Sequence, residues 1–261
     1  MTVLESFNLS GKVAIVTGGA GHLGRALSEA LYEAGARVYV FGRSEEKFIS
    51  CDFDNERVSF IQCNILSSES IKKCYEQVYC LSKQIDILVN CAATLSGAGR
   101  LPEDIDDDMW NYTAEGVLAS SFKCVREVIP YMRHQGGKII NISSMYGVVS
   151  PDLSMYNGEC KRYLNSVHYG AMKAGVIQMT KYMAAYLIED GINVNCITPG
   201  TFPKPAVQEC QEFVSRLQQK NPAHRLGRPE DMKGALLLLA SSASDYIVGQ
   251  NIIIDGGWTI W

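Results

Sequence analysis

Short, continuously apolar runs rich in Val and Ile recur along the chain at 13–17, 37–41, 58–62, 85–90, 138–143, 192–197 and 251–255. Between them lie longer stretches in which apolar residues return every three or four positions, as at 23–34 and 169–188. The first pattern predicts buried strands and the second amphipathic helices. A strand that is apolar on both faces belongs in a parallel sheet covered on both sides. The alternation therefore predicts an α/β architecture, a doubly wound parallel seven-stranded sheet with helices on both faces. No Pro/Gly-rich linker, repeat or low-complexity tract divides the chain, so residues 1–261 are expected to form a single domain.

Composition narrows the function classes. A formal net charge of −4 offers no electrostatic case for nucleic acid or an anionic membrane. The four histidines (His22, His134, His168, His224) are scattered without zinc-like pairing, so no metal site is expected. Nine cysteines without a CxxC pair read as reduced core thiols. The opening "MTVLESFNLSGK" has no charged head before an apolar core, and no run reaches the roughly 20 apolar residues of a membrane helix. A cytoplasmic protein working on a small-molecule substrate is the expectation.

In a doubly wound sheet, ligands bind beyond the carboxyl ends of the strands, so a motif just after a strand carries weight. "VAIVTGGAGHLGRALSEAL" runs from the first strand through Thr17, Gly18, Gly21, His22, Leu23 and Gly24 into a helix. Glycines there allow a tight turn and let backbone N–H groups approach a diphosphate at the helix N-terminus; a ligand-free glycine turn is the alternative. The second strand ends in Arg43, where a carboxylate would hold the ribose of NAD. Arg43 suits a 2′-phosphate, which favours NADP(H) and leaves NAD(H) possible, since a solvated loop charge reads the same way. Farther on, "HYGAMKAGV" sets Tyr169 one helical turn before Lys173, a spacing that brings a cation beside a phenol.

Read together with Asn90 in "LVNCAA", Ser144 in "IINISSMYG" and Pro199-Gly200 in "NVNCITPGT", these motifs resemble the short-chain dehydrogenase/reductase family over essentially the whole chain, specifically its short single-domain branch. The resemblance implies a Rossmann fold and hydride transfer between a nicotinamide cofactor and a secondary alcohol or ketone. It implies that Ser144, Tyr169 and Lys173 are catalytic. Cofactor-holding roles fall to Thr17, Gly18, Gly21, His22, Leu23, Gly24, Arg43, Asn64, Ile65, Asn90, Ala92, Tyr169, Lys173, Pro199, Gly200 and Thr201. For Asn64 and Thr201, simple loop capping is the competing reading. The family also implies a homo-oligomer, tetramer or dimer, packed through the helix of Tyr169, where Ala171, Ala174, Gly175, Ala184 and Ala185 permit close approach.

Three departures qualify this. The glycines are spaced TGxxGxxG, a spacing more typical of sugar-nucleotide epimerases, although the roughly ninety residues after Lys173 match the short branch. Val117 stands where the family has a proton-relaying Asn, and Asn111 lies nearly two turns earlier. Finally, Ser144 and Tyr169 are separated by an insertion, 145–168, about twice the family's spacing. It carries Tyr156, Asn157, Glu159, Lys161, Arg162, Tyr163, Asn165 and His168. Tyr156, Lys161 and Arg162, with Ser144, are the candidate substrate contacts, suited to hydroxyls, phosphate or carboxylate; a surface loop without substrate contact is the alternative. The insertion, Val117 and the terminal "DGGWTIW" are similar to the flagellin-modification or sugar/polyol dehydrogenase-like subgroup. A sugar, sugar phosphate or polyol is the expected substrate. The competing functions are a dinucleotide-binding regulatory protein with impaired catalysis, motivated by Val117, and an epimerase with tightly held NAD, motivated by the glycine spacing.

Overall fold

The computed structural model describes residues 2–53 and 56–260. Seven strands, β1 (Val13–Thr17), β2 (Arg37–Gly42), β3 (Val58–Gln62), β4 (Ile87–Asn90), β5 (Gly137–Ile142), β6 (Ile192–Pro199) and β7 (Asn251–Ile254), form one sheet in the order β3-β2-β1-β4-β5-β6-β7. All six pairings are parallel. The order reverses direction between β1 and β4, and that switch point opens a crevice at the carboxyl ends.

The longer helices are α1 (His22–Glu33), α2 (Ser68–Ser82), α3 (Asp107–Ala114), α4 (Ser120–Met132), α5 (Val167–Leu187), α6 (Gln211–Lys220) and α7 (Lys233–Ala240). Successive strand residues point to opposite faces, so Val13 and Ile15 pack with Ile71, Val78, Val125, Val128, Met183 and Leu187 of α2, α4 and α5. Ala14, Val16, Val38 and Val40 pack on the other side with Leu27, Leu31, Leu236 and Leu239 of α1 and α7. The doubly apolar strands are thus explained by two cores, one on each face.

Element bounds differ from the sequence expectation by one to two residues. Ile85 is fully buried, yet the ladder begins at Ile87, because Lys83 ends α2 in the left-handed region (φ 59°) and the chain is still turning. β6 runs on to Pro199, which pairs with Ile254, so the strand carries its proline at its last position. Ser143 and Asp255 fall just outside β5 and β7. Between α3 and α4 the helix takes one π turn, Glu115–Ala119, which contains Val117. The insertion folds into short 3₁₀ turns at Met145–Gly147, Leu153–Tyr156 and Gly158–Tyr163, packed against α6 and Trp258 as a satellite core.

Candidate active site

The carboxyl ends of β1, β4, β5 and β6 surround a cleft of about 390 Å³. Its floor is the turn after β1. Gly18 has φ +68°, and a Cβ there would lie 2.9 Å from Ala92 Cα. A Cβ on Gly24 would lie 2.1 Å from the Gly18 carbonyl oxygen, so α1 docks on the turn backbone to backbone. Gly21 caps α1 in an extended conformation without a side-chain bond to the first-turn amides. Those N–H groups are left to an anion in the cleft.

Of the residues singled out in the sequence, Gly18, Gly21, His22, Leu23, Gly24, Arg43, Asn64, Ile65, Ala92, Tyr169, Lys173 and Pro199 line this cleft. Thr17 stands behind it: its Oγ1 accepts from the Cys91 and Ala92 amides at 3.1 and 3.2 Å, splicing β1 to the end of β4. Asn90 is also behind the wall, donating to Asn141 Oδ1 at 2.9 Å, while Asn141 donates to Thr180 Oγ1 on α5 at 3.0 Å. Gly200 packs on Asp255, where a Cβ would lie 2.5 Å from Asp255 Cα. Thr201 is buried and accepts from Asn221 at 3.3 Å, a structural tie away from the cleft surface. Asn64 Oδ1 accepts from the Leu66 amide at 3.1 Å, capping its own turn while facing the cleft.

Tyr169 and Lys173 lie on the first turns of α5. Lys173 is buried; its Nζ donates to the Ile142 carbonyl at 2.8 Å and lies 5.8 Å from the Tyr169 ring centroid. Two of the three ammonium N–H groups have directions left over. Ser143 Oγ donates to the Lys173 carbonyl at 2.8 Å, and a Cβ on Gly147 would lie 2.7 Å from Lys173 C. The turn after β5 therefore presses against α5: Tyr146 packs with Tyr169, whereas Ser144 is buried and it is Ser143 that lines the cleft. Ser144 Oγ accepts from the Tyr146 amide at 3.2 Å, which leaves its hydroxyl hydrogen uncommitted.

The insertion residues are disposed differently from the expectation. Tyr156 is buried, its hydroxyl bonded to that of Tyr146, and does not line the cleft. Burial and Tyr156 together push the Tyr146 phenol far above its ordinary range. Lys161 and Arg162 are exposed and outside the cleft, with Arg162 lying over the Tyr163 ring at 4.9 Å. Tyr163 in turn stacks on Phe213 at 4.8 Å. Asn157 accepts from Arg216 at 2.5 Å, and Asp152 pairs with Lys220 at 2.8 Å. His168 is fully buried, its Nε2 3.1 Å from the Ser96 carbonyl, and burial lowers its pKa. The insertion is thus a wall braced by α6, and its polar side chains are mostly spent on that bracing.

Val117 is buried among Met172, Val176 and Cys196 with Tyr169 packed alongside, and no hydroxyl or amide occupies that position. Asn111 lines a separate surface groove with Phe122, Gly175 and Met179. Sequence reasoning passed over Thr94, Phe202 and Lys204, which also line the cleft. Thr94 has a buried Oγ1 without a partner. Lys204 is a cation five positions after Pro199, and that proximity to the Pro-Gly turn was the available signal. Among the described residues no group of three or more His, Cys, Asp or Glu is placed to hold a metal.

The residues present fit a dinucleotide. The glycine cradle, the open first turn of α1, the partnerless buried Nε2 of His22 and an Arg43 without an ion pair among the described residues all face one elongated cleft.

Comparison with known proteins bears on the family and the fold. The family model described as enoyl-(acyl carrier protein) reductase matches residues 18–259. The NAD-dependent glycerol dehydrogenase of Listeria innocua is 33% identical, over 98% of this chain and 97% of its own. The 2-dehydro-3-deoxy-D-gluconate 5-dehydrogenase of Escherichia coli is 32% identical over 98% of each. Among solved structures, a gluconate 5-dehydrogenase from Burkholderia cenocepacia, in complex with NADP and tartrate, superimposes with a TM-score of 0.87 at 29% identity, covering 100% of both chains.

Proposed function

The chain belongs to the short-chain dehydrogenase/reductase family, an NAD(P)-dependent oxidoreductase acting on CH–OH groups, and from that premise we propose that it uses NADP(H) to interconvert a secondary alcohol and ketone on a sugar, sugar phosphate or polyol. One observation carries the catalytic part: Tyr169 and the buried Lys173 share the cleft with the glycine cradle. Arg43 at the far end supports the choice of NADP(H). The relatives that act on glycerol and on a gluconate derivative support a polyhydroxylated substrate.

The nicotinamide ring supplies or accepts the hydride. Tyr169 takes the proton from the substrate hydroxyl, or donates one to the carbonyl, at the substrate oxygen. The Lys173 ammonium, 5.8 Å from the Tyr169 ring centroid, is placed to stabilise the negative charge that develops as the proton moves. Ser144 turns its uncommitted hydroxyl hydrogen toward the same oxygen and stabilises charge there. Thr94 lines the same cleft with a buried hydroxyl that has no partner.

Nicotinamide absorbance, followed with NADP⁺ and NAD⁺ over a panel of sugars, phosphosugars and polyols, tests the reading. Tyr169→Phe should lower turnover by about 10²–10⁴ while dinucleotide binding persists. Undiminished turnover in that variant refutes the role of Tyr169. Val117 favours a second reading, a regulatory protein that binds dinucleotide without turnover; binding with no redox change across the whole panel would establish it.

No helix among the described residues is long and apolar enough to cross a membrane. We further propose self-association through α4 and α5. Ala171, Ala174 and Ala185 are exposed there, with Phe122, Tyr182 and Tyr186, whereas Ala184 is buried against the sheet. Light scattering at the mass of a monomer counts against it.

A further inference from the structure

We propose that the His22 and Lys204 side chains together clamp the dinucleotide's diphosphate, and that clamping takes up a proton at His22. This rests on the dinucleotide reading above and names residues and a linkage that the reading leaves open.

His22 is the first residue of α1, at the point where an anion meets the open amides of the turn. Its ring lines the cleft, with the Phe202 carbonyl in hydrogen-bonding reach. Its Nε2 is buried with no partner, a state that costs free energy until a ligand supplies one. Lys204 lines the same cleft from the segment after β6, and it forms no ion pair among the described residues. The two side chains thus converge on one cleft from segments far apart in sequence, near enough for the Lys204 charge to act on the His22 ring.

The charge state of His22 makes the clamp pH-linked. Burial, then the nearby Lys204 ammonium, holds the imidazole below its ordinary range; the Phe202 carbonyl and Glu230 oppose this more weakly. Those are the groups facing the ring: Lys204 and Phe202 from the segment after β6, and Glu230 from the turn Pro229–Met232. The ring is therefore neutral near pH 7 in the free protein. A neutral ring carries a single N–H, whereas the protonated ring offers one at each nitrogen, so a phosphate at Nε2 favours the protonated form. A phosphate oxygen is repelled by a lone pair and bound by an N–H⁺. Two negative charges arriving beside the ring also offset the push from Lys204. Affinity consequently rises as pH falls through the bound-state pKa, and it flattens below the free-state pKa.

Isothermal titration with ADP-ribose in two buffers of different ionisation enthalpy reads the proton directly. ADP-ribose carries the diphosphate but no 2′-phosphate, whose own second pKa of about 6 would confuse the count. A net proton uptake near pH 7 is expected, and His22→Asn should weaken ADP-ribose binding and abolish the uptake. Lys204→Met, with Lys204→Gln as a second variant, should weaken ADP-ribose binding about tenfold and reduce its salt dependence. Near-UV circular dichroism matching the parent confirms each variant's fold before binding is scored. Binding without proton uptake, or unchanged affinity in both Lys204 variants, overturns the clamp alone. Absence of binding by ADP-ribose and by NADP⁺ alike in the parent protein overturns the dinucleotide reading itself.

Discussion

Replacing Arg43 by Gln removes the positive charge at the adenosine end of the cleft while keeping a polar side chain of similar reach. Its backbone is anchored independently, since Gln62 donates to the Arg43 carbonyl at 3.2 Å, so the variant tests charge rather than fold. Arg43 is exposed, which places the interaction near the aqueous limit. There, a pair of unit charges in contact is worth about 1 kcal/mol, and a phosphate monoester carries about −1.5 to −2, giving about 1.5–2 kcal/mol. A charge-assisted hydrogen bond, net about 1.5–3 kcal/mol, gives the same lower bound. At about 1.4 kcal/mol per factor of ten, Arg43→Gln should cut kcat/KM for NADP⁺ by about 10- to 30-fold.

NAD⁺ lacks the 2′-phosphate, so its kcat/KM should move by less than about twofold. The assay is initial-rate kinetics with each cofactor on one fixed substrate, at low salt and again near 1 M. Screening at about 1 M, where the Debye length is about 3 Å, should shrink the difference between parent and variant. An equal fall with both cofactors would show that Arg43 shapes the cleft rather than reading the phosphate. No fall with either would place Arg43 among the solvated loop charges.

The same substitution at two helical glycines should have opposite signs. Gly24→Ala drives a Cβ to 2.1 Å from the Gly18 carbonyl oxygen, so α1 must lift off the turn; a loss of about 1–3 kcal/mol in urea unfolding, with dinucleotide binding abolished, is expected. Gly234→Ala on exposed α7 meets nothing within 4 Å and should stabilise by about 0.4–1 kcal/mol, read in the same titration. At the insertion, the Lys220 ammonium and then Ser154 hold the Asp152 carboxyl down to about 2. A depressed carboxylate pKa contributes stability that is present above the unfolded value near 4 and lost as pH falls toward the folded value. Lys220→Met should therefore flatten the acid arm of the stability curve between about pH 4 and 2, by less than about 1 kcal/mol because the pair is partly exposed. An unchanged acid arm would mean the pair does not brace the insertion.

The parts of this molecule that were legible in the sequence are those fixed by local chemistry. A strand buried on both faces must be continuously apolar, so β1 and β2 could be read to within a residue. The turn after β1 needs glycines because Gly18 and Gly24 meet backbone atoms at under 3 Å, and that demand is written in the eight consecutive residues 17–24. A phenol and its cation must sit one helical turn apart, which is a spacing. The insertion follows no such rule. Its aromatic and charged residues invited a substrate reading, yet Tyr156, Tyr163, Asn157 and Asp152 are engaged by Tyr146, Phe213, Arg216 and Lys220. Three of those four partners lie on α6, fifty or more residues away, where no local pattern announces them. Thr201 and Lys204 make the same point three residues apart: the chain turns after Pro199 so that the candidate Thr201 is buried on Asn221 while Lys204 reaches the cleft. Residue type alone could not separate them, because what distinguishes them is the path of the backbone past β7. The substrate is illegible for a related reason. Selectivity on the insertion side depends on what its braced wall leaves open, and that is a property of the packing between 145–168 and α6 rather than of either segment.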